Sequence, residues 1–133
     1  MKIPLTFILS LTFLFLFSGS VYGEEPEIKR EYWGKGKLYK EIHFKNKKRE
    51  GLTTWWYASG AKDREIHYKN GKRDGLKTGW YESGQMEFEI PFKIGARHGV
   101  QIKWSESGKI ESEDYYEKGS LKEKLPLNYM SNK

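Results

Sequence analysis

The sequence predicts an all-β protein, an array of stacked antiparallel β-hairpins preceded by a signal helix. Three observations carry that reading. The same residues return every 24 positions: Gly36, Gly60, Gly84 and Gly108; Glu41, Glu65, Glu89 and Glu113; Trp56, Trp80 and Trp104. Within each unit, apolar and polar residues alternate with period two, and β-branched and aromatic residues are frequent, as a half-buried strand requires. Asn-Gly and Asp-Gly pairs, the strongest short hairpin signals, fall between the alternating runs. Beyond residue 23 no stretch shows helical periodicity.

Composition narrows the function classes. The chain has 133 residues, 37% of them hydrophobic, and its 5 Trp, 9 Tyr and 7 Phe are too many for a solvated, disordered chain. Cysteine is absent. That excludes a disulfide framework, thiolate metal sites, a thiol nucleophile and a lipid-modified cysteine. The 3 histidines are too few for a dense metal site. The net charge is +6, of which Lys2 contributes one. A modest positive charge favours anionic partners but is also ordinary for a small domain.

Residues 1–23 stand apart as a targeting segment. Lys2 gives a positive start, Ile3 to Phe17 is almost wholly apolar, and Ser18-Gly19-Ser20 ends the run. Val21 and Gly23 occupy −3 and −1 of a cut before Glu24, a signal-peptidase pattern. The apolar run is shorter than the roughly 20 residues needed to cross a bilayer. A cleaved signal peptide is favoured over a retained N-terminal anchor, and both put the remainder outside the cytoplasm. A cysteine-free chain suits an oxidising periplasm or surface. The expectation is an exported protein, periplasmic, envelope-associated or secreted, with no transmembrane segment after cleavage.

The repeat domain is expected over 24–119. Units begin at Gly36, Gly60 and Gly84, a decayed fourth begins at Gly108, and a partial lead-in covers about 27–35. Residues 120–133 form a C-terminal cap or tail. In the first unit Leu38, Lys40, Ile42 and Phe44 point one way, and Tyr39, Glu41 and His43 the other. The second strand sets Leu52, Thr54 and Trp56 on one face, matched by Leu76, Thr78 and Trp80 and by Val100, Ile102 and Trp104. This tryptophan face is the expected core. The segment from Lys69 to Gly75 joins the two strands and carries two turn signals, Asn70-Gly71 and Asp74-Gly75, and the other turn is Glu82-Ser83-Gly84-Gln85, with Gly84 supplying a positive φ. A lone hairpin is marginal in water, so stability should be nearest-neighbour with capping ends. Asp114, which breaks the Ile42, Ile66, Ile90 series, and Leu121, Leu125 and Leu127 fit a cap.

Gly71-Lys72-Arg73-Asp74-Gly75, Trp80-Tyr81-Glu82-Ser83-Gly84, and Glu65-Ile66 with Tyr68-Lys69-Asn70-Gly71 resemble the MORN repeat in its bacterial variant form. That form is labelled a YwqK-type antitoxin of toxin–antitoxin systems. The resemblance covers about Tyr32 to Gly119. It implies one elongated, curved sheet of successive hairpins, in agreement with the pattern above, and a scaffold or binding surface. This copy departs in carrying an export signal and in Lys47, which stands where later copies have Gly71, Gly95 and Gly119. With export, an antitoxin role is compatible with an exported or envelope-directed toxin.

Four groups of residues are candidates for chemistry. Tyr39, Trp55, Tyr57 and Tyr81 alternate away from the tryptophan face, and exposed aromatics there would anchor a protein partner. Lys45, Arg49, Lys69, Arg73, Lys93 and Arg97 would align into a basic loop stripe for anionic lipid headgroups or envelope polymers. Glu50 and Asp74 interleave with that stripe, and lysine in a solvated loop also blocks edge pairing. Nucleic acid fits poorly, since no recognised motif for it is present. His43 and His67 repeat, but Pro91 takes the third place and no ligand set is completed. Glu41, Glu65, Glu89 and Glu113 form a ladder of like positions, whereas general acid–base work needs unlike environments.

The expected function is therefore an exported, non-enzymatic repeat scaffold that binds a protein partner through its sheet face, in its most specific version an antitoxin or immunity-type protein. The alternative is a binder of anionic envelope surfaces through the basic stripe. No catalytic residue, cofactor or metal is expected.

Overall fold

The computed structural model describes residues 25–132, and the signal segment expected over 1–23 lies outside the described residues. Ten strands among the described residues form one antiparallel sheet. They are β1 Glu27–Tyr32, β2 Leu38–Lys45, β3 Lys48–Trp56, β4 Lys62–Lys69, β5 Lys72–Trp80, β6 Met86–Lys93, β7 Ala96–Arg97, β8 Gly99–Trp104, β9 Ile110–Glu117 and β10 Ser120–Leu125. Each strand pairs with its neighbour in the chain, except that β6 pairs with both the short β7 and β8. The hairpins thus stack edge to edge, through ladder hydrogen bonds, into a single curved layer. No helix among the described residues is long and apolar enough to cross a membrane.

Two kinds of turn generate the repeat. At one end, Asn46-Lys47, Asn70-Gly71, Ile94-Gly95 and Lys118-Gly119 each hold both residues at positive φ. This is the two-residue turn whose twist matches right-handed strands. At the other end, Gly60 N–H donates to the Tyr57 carbonyl and Tyr57 N–H to the Ala61 carbonyl, both at 2.9 Å. The same pair of bonds recurs at Tyr81-Gly84-Gln85 and at Ser105-Gly108-Lys109.

A slip in register separates each tight turn from the strand body. Phe44 pairs with Arg49 but Ile42 pairs with Thr53, so β3 carries extra residues, and Tyr68–Arg73 with Ile66–Lys77 repeats the slip. Glycine takes up the slack. Gly75 lies at φ 106 and a Cβ there would meet His67 Cβ at 3.1 Å; Gly99 lies at φ 117 and a Cβ would meet Pro91 Cγ at 3.0 Å. Both the backbone angle and the close approach demand glycine.

Directly paired residues share a face, so the register defines two surfaces. One holds the cross-strand row Ile42, Thr53, Ile66, Lys77 and Ile90, flanked by Lys40, Trp55, Arg64, Gly79, Phe88 and Lys103. The other holds Glu41, Thr54, Glu65, Thr78, Glu89, Ile102 and Glu113. Ile42, Thr53, Ile66 and Phe92 are buried on the first face, which is the apolar core.

This corrects the expected core. Thr53 and Trp55, not Leu52 and Trp56, sit beside Ile42 and Lys40. Leu52, Leu76 and Val100 belong to the glutamate face, where Leu76 is 43% exposed. Trp56, Trp80 and Trp104 are half-buried beside the turns. Alternation within each strand is as the sequence indicates. The glycine slip decides which parity of the second strand meets the isoleucines of the first.

Of the leucines expected to cap the last hairpin, Leu125 is half-buried and pairs with Glu113. Leu121 and Leu127 are exposed. The segment after β10 is held instead by Glu113, whose carboxylate accepts the Tyr129 N–H at 2.7 Å and the Met130 N–H at 3.0 Å. Glu113 is 1% exposed, and two charge-assisted bonds compensate its burial.

Candidate functional site

The isoleucine face carries an alternating file of aromatic and arginine side chains. Phe44 pairs with Arg49, Tyr68 with Arg73, and Phe92 with Arg97. Each guanidinium then lies over the ring of the next repeat: Arg49 over Tyr68 at 5.2 Å, Arg73 over Phe92 at 4.1 Å, Arg97 over Tyr116 at 4.2 Å. The 24-residue period places these partners one repeat apart, so the file crosses the sheet without a break. Stacking orders an arginine by its face and leaves the N–H groups at its edge as donors.

A second cationic row runs beside the first. Lys40 and Arg64 approach the Trp55 ring at 5.5 and 5.4 Å, and Lys77 approaches the Phe88 ring at 4.7 Å. Acids directly paired into this face occur at its ends. Glu31 pairs with Lys40 in β1–β2, and Asp114 pairs with Gln101 and Lys124 in β8–β10. Asp63, at the register shift between β3 and β4, meets Arg64 at 3.2 Å.

Between the two rows a depression of about 390 Å³ opens, lined by Arg73, Lys77 and Arg97 over Ile90, Phe92 and Ala96. Burial lowers the Lys77 pKa, and the nearby Arg64 and Arg73 charges lower it further, while Asp63 and Glu87 raise it. No acid lines this depression, whereas Glu87 and Glu111 line the neighbouring one with Lys77, Phe88, Ile90 and Lys103.

The opposite face is acidic. Glu41 accepts from Arg30 Nε at 2.7 Å and lies 3.0 Å from His43 Nε2. The His43 bond holds its carboxyl below the ordinary range; burial opposes this, and Arg30 adds to the lowering. Glu65 pairs with Lys62 at 2.6 Å. No group of three or more His, Cys, Asp or Glu able to hold a metal occurs among the described residues.

The aromatic residues singled out from sequence do not converge. Trp55 lies on the isoleucine face. Tyr39 lies on the other face, with its ring 4.6 Å from that of Trp33. Tyr57 and Tyr81 sit at turns, and their hydroxyls donate to the Trp80 and Trp104 carbonyls at 2.8 and 2.9 Å. All four are half-buried. Two of them thus spend their polar atoms on joining repeats.

The basic stripe divides. Lys45, Lys69 and Lys93 are exposed at the hairpin tips. There Glu50 and Asp74 accept the backbone N–H groups of Asn70 and Ile94 at 2.6 and 3.1 Å. Arg49, Arg73 and Arg97 leave the tips and stack on the isoleucine face. Sequence reasoning missed Lys77, Phe88, Arg64 and the ring partners Tyr68, Phe92 and Tyr116. The rings recur with the same 24-residue period as the arginines, which was readable, but Lys77, Phe88 and Arg64 are not repeated in the other units, and the pairing across the slip was not readable.

Comparison with known proteins bears on this architecture. The description "MORN repeat variant" matches at residues 28–46, 49–70, 73–93 and 97–118. Each match spans the second strand of one hairpin and the first strand of the next, or the equivalent lead-in, and together they cover more than half of the chain. No curated protein matches the sequence. The chain belongs to the MORN repeat variant family, with four repeats.

Proposed function

We propose that this protein is an exported, non-enzymatic docking scaffold that binds a protein partner through the isoleucine face, and that it acts as an antitoxin or immunity-type protein by covering that partner. The observation that supports this is the stretch from β3 to β8. Arg49, Arg64, Arg73, Lys77, Arg97 and Lys103 stand there among Trp55, Tyr68, Phe88 and Phe92; among the described residues, acids in direct cross-strand register on this face lie at its two ends, while Asp63, Glu87 and Glu111 border Arg64, Lys77 and Lys103. Arginine and aromatic side chains are the residues that dominate protein interfaces. Rigid repeats keep them in place with little ordering cost on binding.

Capture of a partner from envelope extract, with the tagged protein as bait and recovery measured against a Trp55→Ala, Arg73→Gln double variant, tests this reading. One protein recovered in near-equal amount and lost with the variant supports it. Recovery that is indifferent to both substitutions refutes the assigned face.

A second reading rests on Lys45, Lys69 and Lys93, which line one margin of the sheet and are exposed. Through them the protein would bind anionic lipid headgroups or envelope polymers. Material that is only lipid or polymer, and that salt releases, would favour this reading, since exposed charge contacts are screened.

A further inference from the structure

Building on the docking-scaffold reading, we propose that Arg73, Lys77 and Arg97 form a carboxylate-recognition site. The segment that occupies it and the neighbouring file is an extended, proline-rich acidic stretch of the protein partner, with Glu or Asp at every third residue.

Charge is the first argument. Arg73 contacts the Gly95 carbonyl at 3.5 Å, and Arg97 donates to Gln101 Oε1 at 3.2 Å. Neither arginine, nor Lys77, forms an ion pair among the described residues. Three cations converge on one depression whose floor is Ile90 and Phe92. Lys77 is already burdened by burial and by its arginine neighbours. A carboxylate there would relieve that repulsion and accept from an arginine fork in a partly desolvated setting.

Spacing is the second argument. Successive arginines of the file are two strands apart, about 9.6 Å at the usual strand separation. A polyproline II segment brings every third side chain to the same side after about 9.3 Å. An ordinary β-strand repeats a face after about 6.7 Å and falls out of phase. An α-helix repeats after seven residues, about 10.5 Å, and overshoots by about 2 Å across Arg49, Arg73 and Arg97. Aromatic-lined surfaces are also what proline-rich segments dock against. A membrane surface would meet Lys45, Lys69 and Lys93, which like Arg73 are exposed, before the half-buried Arg49, Lys77 and Arg97.

The test is fluorescence anisotropy with the purified protein expressed from its full reading frame. Three probes are used: a labelled peptide of six Glu-Pro-Pro triplets, a peptide of the same composition with its six Glu in one block, and vesicles containing phosphatidylserine. The triplet peptide should bind about ten-fold more tightly than the block peptide. Lys77→Met and Arg73→Gln should each weaken it by about ten-fold, the range of a close interfacial charge contact. Glu65→Gln, on the opposite face, should leave it unchanged. Lys77→Met removes a charge that burial disfavours, so it should keep the fold, checked by its melting temperature. Equal binding of the two peptides, or binding that survives both substitutions, overturns the proposal, as does binding to vesicles alone. A protein partner captured equally by wild type and by Arg73→Gln would leave the scaffold reading standing and remove the carboxylate site.

Discussion

The phenol of Tyr57 donates a hydrogen bond to the backbone carbonyl of Trp80 at 2.8 Å, 23 residues along the chain and one repeat away. Tyr81 does the same to Trp104 at 2.9 Å, and in the lead-in the indole of Trp33 donates to the Trp56 carbonyl at 3.1 Å. The series runs through one phase of the repeat and stops at Ser105, whose hydroxyl reaches only within its own turn, to the Lys109 carbonyl at 3.3 Å. Each rung ties a turn to the next hairpin, in a fold whose stability is a sum of neighbour interfaces.

Tyr57→Phe should therefore lower stability by about 1 kcal/mol, the usual net value of such a bond. Urea unfolding would show it as a shifted midpoint with an unchanged slope. Burial raises the Tyr57 pKa, with Asp63 contributing. A raised folded pKa means that this contribution is complete below the unfolded value near 10 and fades as pH rises through the folded one. Tyr57→Phe should remove part of the alkaline loss of stability. A midpoint unmoved at neutral pH would mean that water replaces the phenol without cost.

Gly79 and Phe88 form a different kind of pair. They are directly opposite in β5 and β6, Gly79 is buried, and a Cβ on Gly79 would stand 2.3 Å from Phe88 Cζ. The ring fills the space left by the missing side chain. Gly79→Ala should cost about 1–3 kcal/mol, the range for overpacking. In a Phe88→Leu background the same change should cost less, and a double-mutant cycle measures the difference. Strict additivity would show that the backbone, and not the ring, resists the methyl group.

The position of Gly79 illustrates what the sequence could reveal. The same phase holds Trp55 in the unit before and Lys103 in the unit after, so no periodic signal marks a glycine knob-hole there. The strands, the turn at Asn70-Gly71 and the glutamate ladder were legible because identical phases of an antiparallel meander come to rest in one cross-strand row, whereas Asp74-Gly75, a turn signal in the sequence, lies within β5 at the register slip. The core face was not. Local alternation orders residues within Leu52–Tyr57, but the slip at Gly51 decides that Thr53 meets Ile42. The arginine file was legible as a row of like residues yet not as a stacked one, because its ring partners come from the next repeat. The bonds from Tyr129 and Met130 to Glu113 use backbone donors, which leave no mark in residue type.

Glu113 should anchor the end of the array. In the earlier units Glu41, Glu65 and Glu89 remain partly exposed, whereas Glu113 lies under the tail. Glu113→Ala removes the acceptor of two charge-assisted bonds and should cost about 2–3 kcal/mol. Hydrogen exchange at the Tyr129 and Met130 amides should become fast, while amides in β3 to β5 stay protected. Unchanged exchange at those two amides would show that the tail is held by something other than this carboxylate.

Ile94 is the residue most at odds with its backbone. It occupies the first position of a two-residue turn at φ 50, and the residue is 65% exposed. The equivalent residue in the preceding turn is Asn70 at φ 51. A β-branched residue is strained in the left-handed region, which asparagine tolerates well. The Ile94 backbone N–H, which donates to Asp74 at 3.1 Å, is retained in any substitution except proline. Ile94→Asn should raise stability by about 1 kcal/mol, the scale of the left-handed penalty, read as a higher melting temperature. The matching change Asn70→Ile should lower it by a similar amount. If Ile94→Asn destabilised the protein instead, the exposed isoleucine would be contributing packing at the hairpin tip that outweighs the strain of its turn.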